Sequence, residues 1–348
     1  MNDSYYADDI ENVINSPLIN WEIYKNKSFL ITGATGLIAG VLVNSLLSAD
    51  EKYSLDIKLI VTARSMDKIK RVYGNRADKL KIIMGDIVDF TDLEDEVDYI
   101  IHLASQTSSK GFVTYPVETA TTNIKGTINM LELAKRKNVD CMVFLSTMEV
   151  YGVSLNEDKI TEEKDLLVNS QKVRNSYPIS KIMCENLMAD YASEYGVKTV
   201  VGRLTQTFGA GIEYEDGRVF ADFARCAVEG RNIVLKTEGK TKRNYLYNTD
   251  AVTAIFTLID KADKSGAVYN VANEDSLITI ADMAKMVAKN NGIDVEFDIS
   301  EDVSKLGYAP TLVMNLSTDK LKSLGWEASV GLETMYDRLI GYMKGLKE

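Results

Sequence analysis

The chain has 348 residues, of which 45% are hydrophobic and 26% are charged, and this ordinary globular composition argues against a disordered protein. Forty basic and 51 acidic residues give a net charge of −11, which disfavours binding to nucleic acid or to an anionic membrane surface. A single histidine excludes a metal site built from several imidazoles, and we predict no bound metal.

The first 26 residues are predicted to form an extension of mixed polarity that carries one helix on the outside of the protein. Their acidic, polar start is unlike a signal peptide, and no apolar run in the chain approaches the roughly 20 residues that cross a bilayer. The three cysteines, Cys141, Cys184 and Cys226, share no CxxC spacing and are typical of reduced, buried thiols. Together these features predict a cytoplasmic protein.

From Lys27 onward, short runs rich in Val, Ile and Leu alternate with amphipathic stretches. The predicted strands are residues 27–33, 57–63, 80–86, 99–105, 141–147, 198–204 and 267–273. Their continuous apolar character is typical of strands that are covered on both faces, as in a parallel sheet. The alternation of strand and helix therefore predicts an α/β fold with a doubly wound, Rossmann-type sheet over residues 27–209, to which residues 248–273 return.

After Gly209 this alternation weakens. Residues 210–247 are charged and are predicted to be loop-like, and residues 274–348 are predicted to form helices with one short strand, VEFDI. We expect these two segments to make a smaller, C-terminal lobe that binds substrate over the edge of the sheet where its strands end.

A glycine-rich turn, TGATGLIAG, joins the first predicted strand to the first helical pattern. Gly33 permits the tight turn, and Gly36 lets the backbone approach a pyrophosphate at the N-terminus of the helix. In this position the turn predicts a dinucleotide site that includes Gly33, Thr35, Gly36, Leu37 and Ile38.

The ends of the next three strands are expected to follow the cofactor. Arg64 stands where an acidic residue usually binds a ribose hydroxyl, and its guanidinium suits a 2′-phosphate, which favours NADP slightly over NAD. A solvated surface charge is the alternative, so the cofactor is predicted to be NAD or NADP. Asp86 is expected to accept a hydrogen bond from the adenine amino group. The remaining cofactor contacts are predicted to be Ile87, Leu103, Ala104 and Ser105.

Tyr177 and Lys181 are four residues apart and are predicted to lie on one face of a helix. An ammonium near a phenol favours the phenolate, which can then take a proton from a hydroxyl group. Thr147 ends the fifth predicted strand upstream of this pair. A non-catalytic dinucleotide-binding scaffold would have no need of the Tyr–Lys pair, so the combination predicts an enzyme.

The order of these motifs resembles the extended short-chain dehydrogenase/reductases, in particular the nucleotide-sugar epimerase/dehydratase family. The matching segments are TGATGLIA, GDI, LAS, NIKGT, STMEVYG, YPISK, GRLTQTFGAG, RNYLYNTDAV and LGW. The resemblance implies an NAD(P)-dependent enzyme that acts on a nucleotide-linked sugar through a 4-keto intermediate. It also implies that Tyr177 deprotonates a sugar hydroxyl, that Thr147 hydrogen-bonds to that oxygen, and that Lys181 holds the nicotinamide ribose.

The residue after Thr147 bears on which reaction follows. In the hexose 4,6-dehydratases that the chain resembles, the pattern is Thr-Asp-Glu, in which glutamate removes the C5 proton and aspartic acid protonates the departing hydroxyl. This sequence keeps Glu149, which is therefore a predicted catalytic residue, but it carries Met148, whose thioether cannot donate a proton. We therefore expect epimerisation or decarboxylation of a uronic acid rather than 4,6-dehydration. The alternative is a one-way, NADPH-dependent reductase of a nucleotide 4-keto sugar.

The same resemblance suggests where the substrate lies. The expected substrate contacts are Gln106, Met148, Gln206, Arg218 and Arg243. Gln206 stands where family members usually carry asparagine, and Arg243 resembles the arginine that clamps the nucleotide diphosphate. Arg218 is a second candidate, because both guanidinium groups suit phosphate.

The resemblance also implies a partner. Family members commonly pair through two helices of each subunit, and residues 118–137 and 179–195 are the matching segments. We therefore expect a homodimer, with no nucleic-acid or membrane partner.

Overall fold

The computed structural model describes residues 4–106, 108–262, 265–299 and 311–347. Their strands, in chain order, are β1 (Ser28–Thr32), β2 (Lys58–Ala63), β3 (Lys81–Met84), β4 (Tyr99–His102), β5 (Cys141–Thr147), β6 (Thr199–Leu204), β7 (Gln206–Phe208), β8 (Ile233–Leu235), β9 (Lys242–Tyr247), β10 (Ala267–Val271), β11 (Asn273–Thr279), β12 (Val295–Phe297) and β13 (Val313–Met314). Their helices are α1 (Ser4–Ile14), α2 (Leu37–Tyr53), α3 (Met66–Tyr73), α4 (Ser109–Thr114), α5 (Pro116–Lys137), α6 (Ser176–Tyr195), α7 (Val219–Glu229), α8 (Asn248–Lys261), α9 (Ile280–Asn291), α10 (Asp319–Lys322) and α11 (Leu332–Lys347).

A parallel sheet of seven strands, in the order β10-β6-β5-β4-β1-β2-β3, lies at the centre of the fold. All five residues of β1 are buried, because Phe29 and Ile31 pack into one apolar core and Leu30 packs into another on the opposite face. The predicted doubly wound α/β fold is confirmed, and each of the seven apolar runs contributes one strand. The strand order reverses beside β1, which creates the crevice where such sheets bind ligands.

A second, smaller sheet has the order β11-β9-β13, with β7 paired to the other end of β9. The prediction that residues 210–247 are loop-like is wrong, since α7, β8 and β9 lie within them. Helix α7 buries Phe220, Ala221, Phe223 and Ala224, and it packs against α11 and α9. Charged residues precede and follow this helix in the sequence, and they obscure the helical periodicity of its apolar residues.

The N-terminal extension contains α1, which packs on α2, α8 and α11. Asp9 of this helix is buried and accepts hydrogen bonds from the Tyr247 hydroxyl at 2.7 Å and from the Arg338 Nε at 2.8 Å. Burial raises the pKa of Asp9 to about 6, although both hydrogen bonds oppose the rise. Helix α1 is therefore anchored to both the second sheet and the last helix.

Three further features concern cysteines, membranes and metals. Cys141, Cys184 and Cys226 are all buried free thiols. Within the described ranges, no helix combines the length and apolar character that a membrane crossing requires. The same residues contain no group of three or more His, Cys, Asp or Glu side chains placed to bind a metal ion.

Candidate active site

The hydroxyl group of Thr32, at the end of β1, organises the start of the crevice. Its Oγ1 accepts hydrogen bonds from the backbone N–H groups of Leu103 and Ala104, each at 3.0 Å, and lies 2.7 Å from the Nδ1 of His102. Burial, with a smaller contribution from Lys181, lowers the pKa of His102 to about 3, so the imidazole is neutral. His102 thus joins two strand ends and is not placed to transfer a proton.

The glycine turn that follows brings two backbone segments into close contact. Gly33 has a φ of 67°, and a Cβ there would lie 2.8 Å from the Ala104 Cα, so only glycine fits. Gly36 directly precedes α2, is exposed, and leaves the first turn of that helix without a side-chain cap. The partly exposed residues beside it are Thr35, Leu37 and Ile38. The N–H groups at this helix start could therefore hold a phosphate.

A hollow of about 210 Å³ follows the end of β3, and its lining includes Thr62, Asp86 and Phe90. The Oδ1 of Asp86 accepts a hydrogen bond from the backbone N–H of Val88 at 3.1 Å. The Arg64 guanidinium lies 3.7 Å from the Asp86 carboxylate, and 74% of its side chain is exposed. This hollow could accept a flat base such as adenine. The side chain of Ile87 is buried in the core.

Thr147, Tyr177 and Lys181 meet where β5 ends and α6 begins. The Lys181 ammonium donates a hydrogen bond to the Leu145 carbonyl at 2.8 Å and lies 5.9 Å from the centroid of the Tyr177 ring. The Thr147 hydroxyl lies near enough to the phenol to lower its pKa. Burial lowers the pKa of Lys181 to about 8.

The phenol of Tyr177 is not acidified in the protein alone. Burial raises its pKa well above the ordinary value and the Glu149 carboxylate adds to the rise, whereas the Thr147 hydroxyl and the charge of Arg174 oppose it. The Lys181 ammonium is directed to the Leu145 carbonyl, and its effect on the pKa of Tyr177 stays a prediction.

Sequence reasoning missed two side chains beside Tyr177. Arg174, in the single turn before α6, binds both carboxylate oxygens of Glu149 at 2.8 and 3.3 Å. The Phe112 ring stacks on the Tyr177 ring with centroids 4.2 Å apart and planes 6° from parallel. Arg174 could have been found, because it lies three residues before Tyr177 and so can reach the same side of the helix start. No sequence signal pointed to Phe112.

Asn123 is a third missed residue, although its segment NIKGT was recognised. Its amide nitrogen donates to the Ser180 hydroxyl at 2.8 Å, and its amide oxygen accepts from the Ser105 hydroxyl at 2.8 Å. The Ser180 hydroxyl in turn donates to the carbonyl of Tyr177 at 2.8 Å. This chain of hydrogen bonds ties the predicted cofactor loop after β4 to the helix that carries the Tyr–Lys pair.

Met148 directly follows Thr147 in the turn after β5, and packing holds its side chain. Its side chain is buried and packs in an apolar cluster with Tyr151, Ile160 and Leu316. The Thr205 hydroxyl lies 3.3 Å from its sulfur. Met148 therefore has a packing role, and its contact with substrate stays a prediction.

The two arginine candidates for the diphosphate differ in their surroundings. The guanidinium of Arg218 is already engaged by Asp216, with its Nη2 2.7 Å from Oδ2 and its Nε 3.0 Å from Oδ1. The Nε of Arg243, on β9, is buried and has no hydrogen-bond partner among the described residues. Of the two, Arg243 is the side chain that an anionic ligand would satisfy. Gln206, at the start of β7, and Gln106, in the segment after β4, are both partly exposed.

Comparison with known proteins agrees with this geometry. A family model described as the NAD dependent epimerase/dehydratase family matches residues 29–272. UDP-glucuronic acid decarboxylase 6 of Arabidopsis thaliana is 32% identical over 323 residues, which cover 91% of this chain and 89% of that protein. Human dTDP-D-glucose 4,6-dehydratase is 27% identical over 315 residues, which cover 87% of this chain and 86% of that protein.

The fold is also that of a solved nucleotide-sugar enzyme. The crystal structure of UDP-glucose 4-epimerase from Thermotoga maritima with UDP-glucose matches at a TM-score of 0.78 and 23% identity, covering 92% of this chain and all of that one. The family match spans well over half of the sequence. This protein therefore belongs to the NAD-dependent epimerase/dehydratase family of nucleotide-sugar enzymes.

Proposed function

We propose that this protein oxidises C4 of a nucleotide-linked uronic acid and uses the resulting ketone to release the C6 carboxyl group as CO₂. The observation that carries the proposal is the meeting of Tyr177, Thr147 and the Glu149–Arg174 pair at the end of β5. Tyr177 removes the proton from the C4 hydroxyl, and Thr147 hydrogen-bonds to the same oxygen.

The cofactor site is proposed at the ends of β1 to β4. When bound, the nicotinamide dinucleotide supplies hydride transfer, which the side chains of the protein cannot perform. The amides at the start of α2 would hold its pyrophosphate, and Lys181 would hold the nicotinamide ribose. We infer NAD as the cofactor, because the Arg64 guanidinium lies 3.7 Å from Asp86, and a 2′-phosphate would meet that carboxylate. The slight preference for NADP suggested by Arg64 alone is therefore not retained.

The choice of reaction rests on the residues around Thr147. Ordinary 4,6-dehydration requires an acid for the departing hydroxide, and Met148 has no proton to give. Decarboxylation of a 4-keto uronic acid requires no acid there, since the ketone takes up the electron pair from the broken C–C bond. Similarity to UDP-glucuronic acid decarboxylase 6 supports this choice. Epimerisation at C4 is the second candidate, because it requires neither carboxylate nor acid and Arg174 already engages Glu149.

The substrate diphosphate is proposed to bind at Arg243, whose buried Nε lacks a partner among the described residues. Gln206, on the neighbouring strand β7, and Gln106 are proposed to contact the sugar or its phosphate. Arg218 is a weaker candidate, because an anion would have to displace Asp216 from its guanidinium.

The proposal is tested by incubating the purified protein with a panel of nucleotide sugars and nucleotide uronic acids and by analysing the products with mass spectrometry. A loss of mass equal to CO₂ from a uronic acid, without added cofactor, is the expected result. An unchanged mass with altered stereochemistry would favour epimerisation, and a loss of water would contradict the argument from Met148. Strict dependence on added NADPH would instead support the one-way reductase. The dinucleotide released on denaturation identifies the cofactor.

A further inference from the structure

We propose that Arg174 is a positioning residue that fixes the Glu149 carboxylate beside the active site and balances its charge at the phenol of Tyr177. This inference rests on the proposed function, in which Tyr177 is the base. No motif pointed to Arg174, and its role follows from the contacts that it makes.

The contact between Arg174 and Glu149 is specific in its geometry. The two outer nitrogens of the guanidinium each bind a different oxygen of the carboxylate, at 2.8 and 3.3 Å. Such a bidentate arrangement fixes the orientation of a carboxylate, which a lysine ammonium does not do. Only 26% of the Arg174 side chain and 28% of the Glu149 side chain are exposed, so solvent screens this pair less than it screens a surface ion pair.

The position of Arg174 in the chain couples it to Tyr177. Arg174 lies in the turn Val173–Asn175, and α6 begins at the next residue. Its guanidinium carbon is 5.8 Å from the centroid of the Phe112 ring, which itself stacks on Tyr177. The contacts of Arg174 with Glu149 and with the Phe112 ring therefore hold its guanidinium near the phenol.

Charges of both signs reach the phenol. The groups that face Tyr177 are Thr147 and Glu149 from the end of β5, Arg174 from the turn before α6, Lys181 from α6 and Phe112 from α4. Of these, Lys181 is bound to the Leu145 carbonyl. Glu149 opposes formation of the phenolate, and Arg174 favours it. The Arg174 charge therefore offsets part of the effect that the Glu149 carboxylate has on the base.

Removing Arg174 and removing Glu149 should have opposite effects on the pKa of Tyr177. In Arg174→Met, the Glu149 charge acts alone on the phenol, and the pKa of Tyr177 should rise by about 1 unit. In Glu149→Gln, the Arg174 charge acts alone, and the same pKa should fall by a similar amount. In the double variant the two effects should largely cancel.

The test uses the holoenzyme and the nucleotide sugar that the wild type accepts. The rate of reduction of bound nicotinamide in a single turnover is followed by absorbance as a function of pH. Arg174→Met should move the rising limb of the profile upward by about 1 unit and lower the rate at pH 7 about tenfold. Adding Glu149→Gln to this variant should return the limb to near its wild-type position. An unmoved limb in Arg174→Met, or no return in the double variant, would overturn the proposal.

Two further variants separate charge from geometry and from general effects of losing an arginine. Arg174→Lys keeps the charge but loses the bidentate contact. The rising limb of its pH profile should therefore stay near the wild-type position, while the maximal rate of reduction falls. Arg136 makes an exposed ion pair with Asp92 at 3.2 Å, and Arg136→Met should change neither. An equal shift in the Arg136 variant would contradict a specific role for Arg174.

A measurement without substrate keeps this inference separate from the proposed function. Tyrosine labelled with ¹³C at its ζ carbon is introduced into the holoenzyme, and Tyr177→Phe identifies the signal of Tyr177. In Glu149→Gln this signal should titrate at lower pH than in the wild type, and in Arg174→Met at higher pH. If no nucleotide sugar is oxidised, the proposed function fails, and this titration still decides the role of Arg174.

Discussion

At the scale of single residues, Tyr177 is held by side chains that are remote from one another in the sequence. Phe112 stacks on its ring, Thr147 lies near its hydroxyl, and Arg174 binds the neighbouring Glu149. The phenol is consequently fixed in one orientation before any ligand binds, which reduces the entropy that a reaction at this oxygen must lose.

Replacing Tyr177 with phenylalanine keeps the stacking on Phe112 and removes only the hydroxyl. We expect turnover to fall by a factor of about 10² to 10⁴, because the general base is lost. Binding of the nucleotide sugar, measured by calorimetry, should remain nearly unchanged. Tyr191→Phe, on the same helix, is the control, since its hydroxyl bonds to Glu132 on α5. Equal losses of binding and rate in Tyr177→Phe would contradict the role assigned to the phenol.

The sequence predicted those site residues that follow a local pattern. Tyr177 and Lys181 are one helical turn apart, and the glycine turn has a backbone conformation that only glycine adopts without strain. Phe112 could not be predicted in this way, because its contact depends on how α4 packs on the start of α6. The turn after β5 directs Met148 into an apolar cluster, and a position in the sequence does not reveal which way such a turn points a side chain.

At the scale of elements, a buried network fastens α6 to the central sheet behind the site. Glu185, one turn after Lys181, binds Arg203 of β6 at 2.7 Å, and only 6% of each side chain is exposed. The Ser146 hydroxyl of β5 also donates to Glu185, and Arg203 donates to the Tyr151 hydroxyl at 2.9 Å. The helix that carries the Tyr–Lys pair is thereby bonded to the strand that carries Thr147.

Glu185→Gln leaves the charge of Arg203 buried without its counter-charge. We expect the free energy of unfolding to fall by about 3 to 5 kcal/mol, measured by urea denaturation. Asp92→Asn, which breaks an exposed ion pair with Arg136, should cost less than about 1 kcal/mol. Replacing Glu185 and Arg203 together with leucine should recover much of the loss, and no recovery would argue against an electrostatic cause.

The sequence predicted the strands of the central sheet but not helix α7. Strands covered on both faces appear as unbroken apolar runs, so each strand of the central sheet could be recognised from the sequence. Helix α7 could not, because its apolar residues contact α9 and α11 from far along the chain and its flanks are charged. Tertiary packing, which a local pattern does not contain, determines that helix.

At the scale of the whole molecule, helix α1 packs against helix α11. Asp9 of α1 binds Arg338 of α11, and the guanidinium also donates to the carbonyl of Tyr5 at 3.0 Å. A Cβ at Gly341 would lie 2.4 Å from the ring of Tyr5, so a larger residue there would displace that ring. The N-terminal extension is therefore an integral part of the packed structure.

A homodimer through α5 and α6 is the expected assembly. These two helices pack side by side, and Val117 and Met183 are large apolar side chains that they expose. Light scattering should give twice the 38.7 kDa mass of the chain. Met183→Glu should shift the equilibrium toward the monomer, because pairing would bury a charge. Leu346→Glu, which replaces an exposed apolar residue on α11, should not, and a monomeric wild type would contradict the assembly.

The environment of the only histidine has a consequence for enzymology. His102 is almost completely enclosed, and its pKa of about 3 keeps the imidazole uncharged under ordinary assay conditions. Reagents that acylate imidazoles have no exposed target in this chain, so inactivation by them would report attack on another nucleophile. A bend in an activity profile near neutrality cannot be assigned to histidine, so the groups to examine are the Tyr177 phenol, through the variants of Arg174 and Glu149, and the Lys181 amine, whose pKa is about 8.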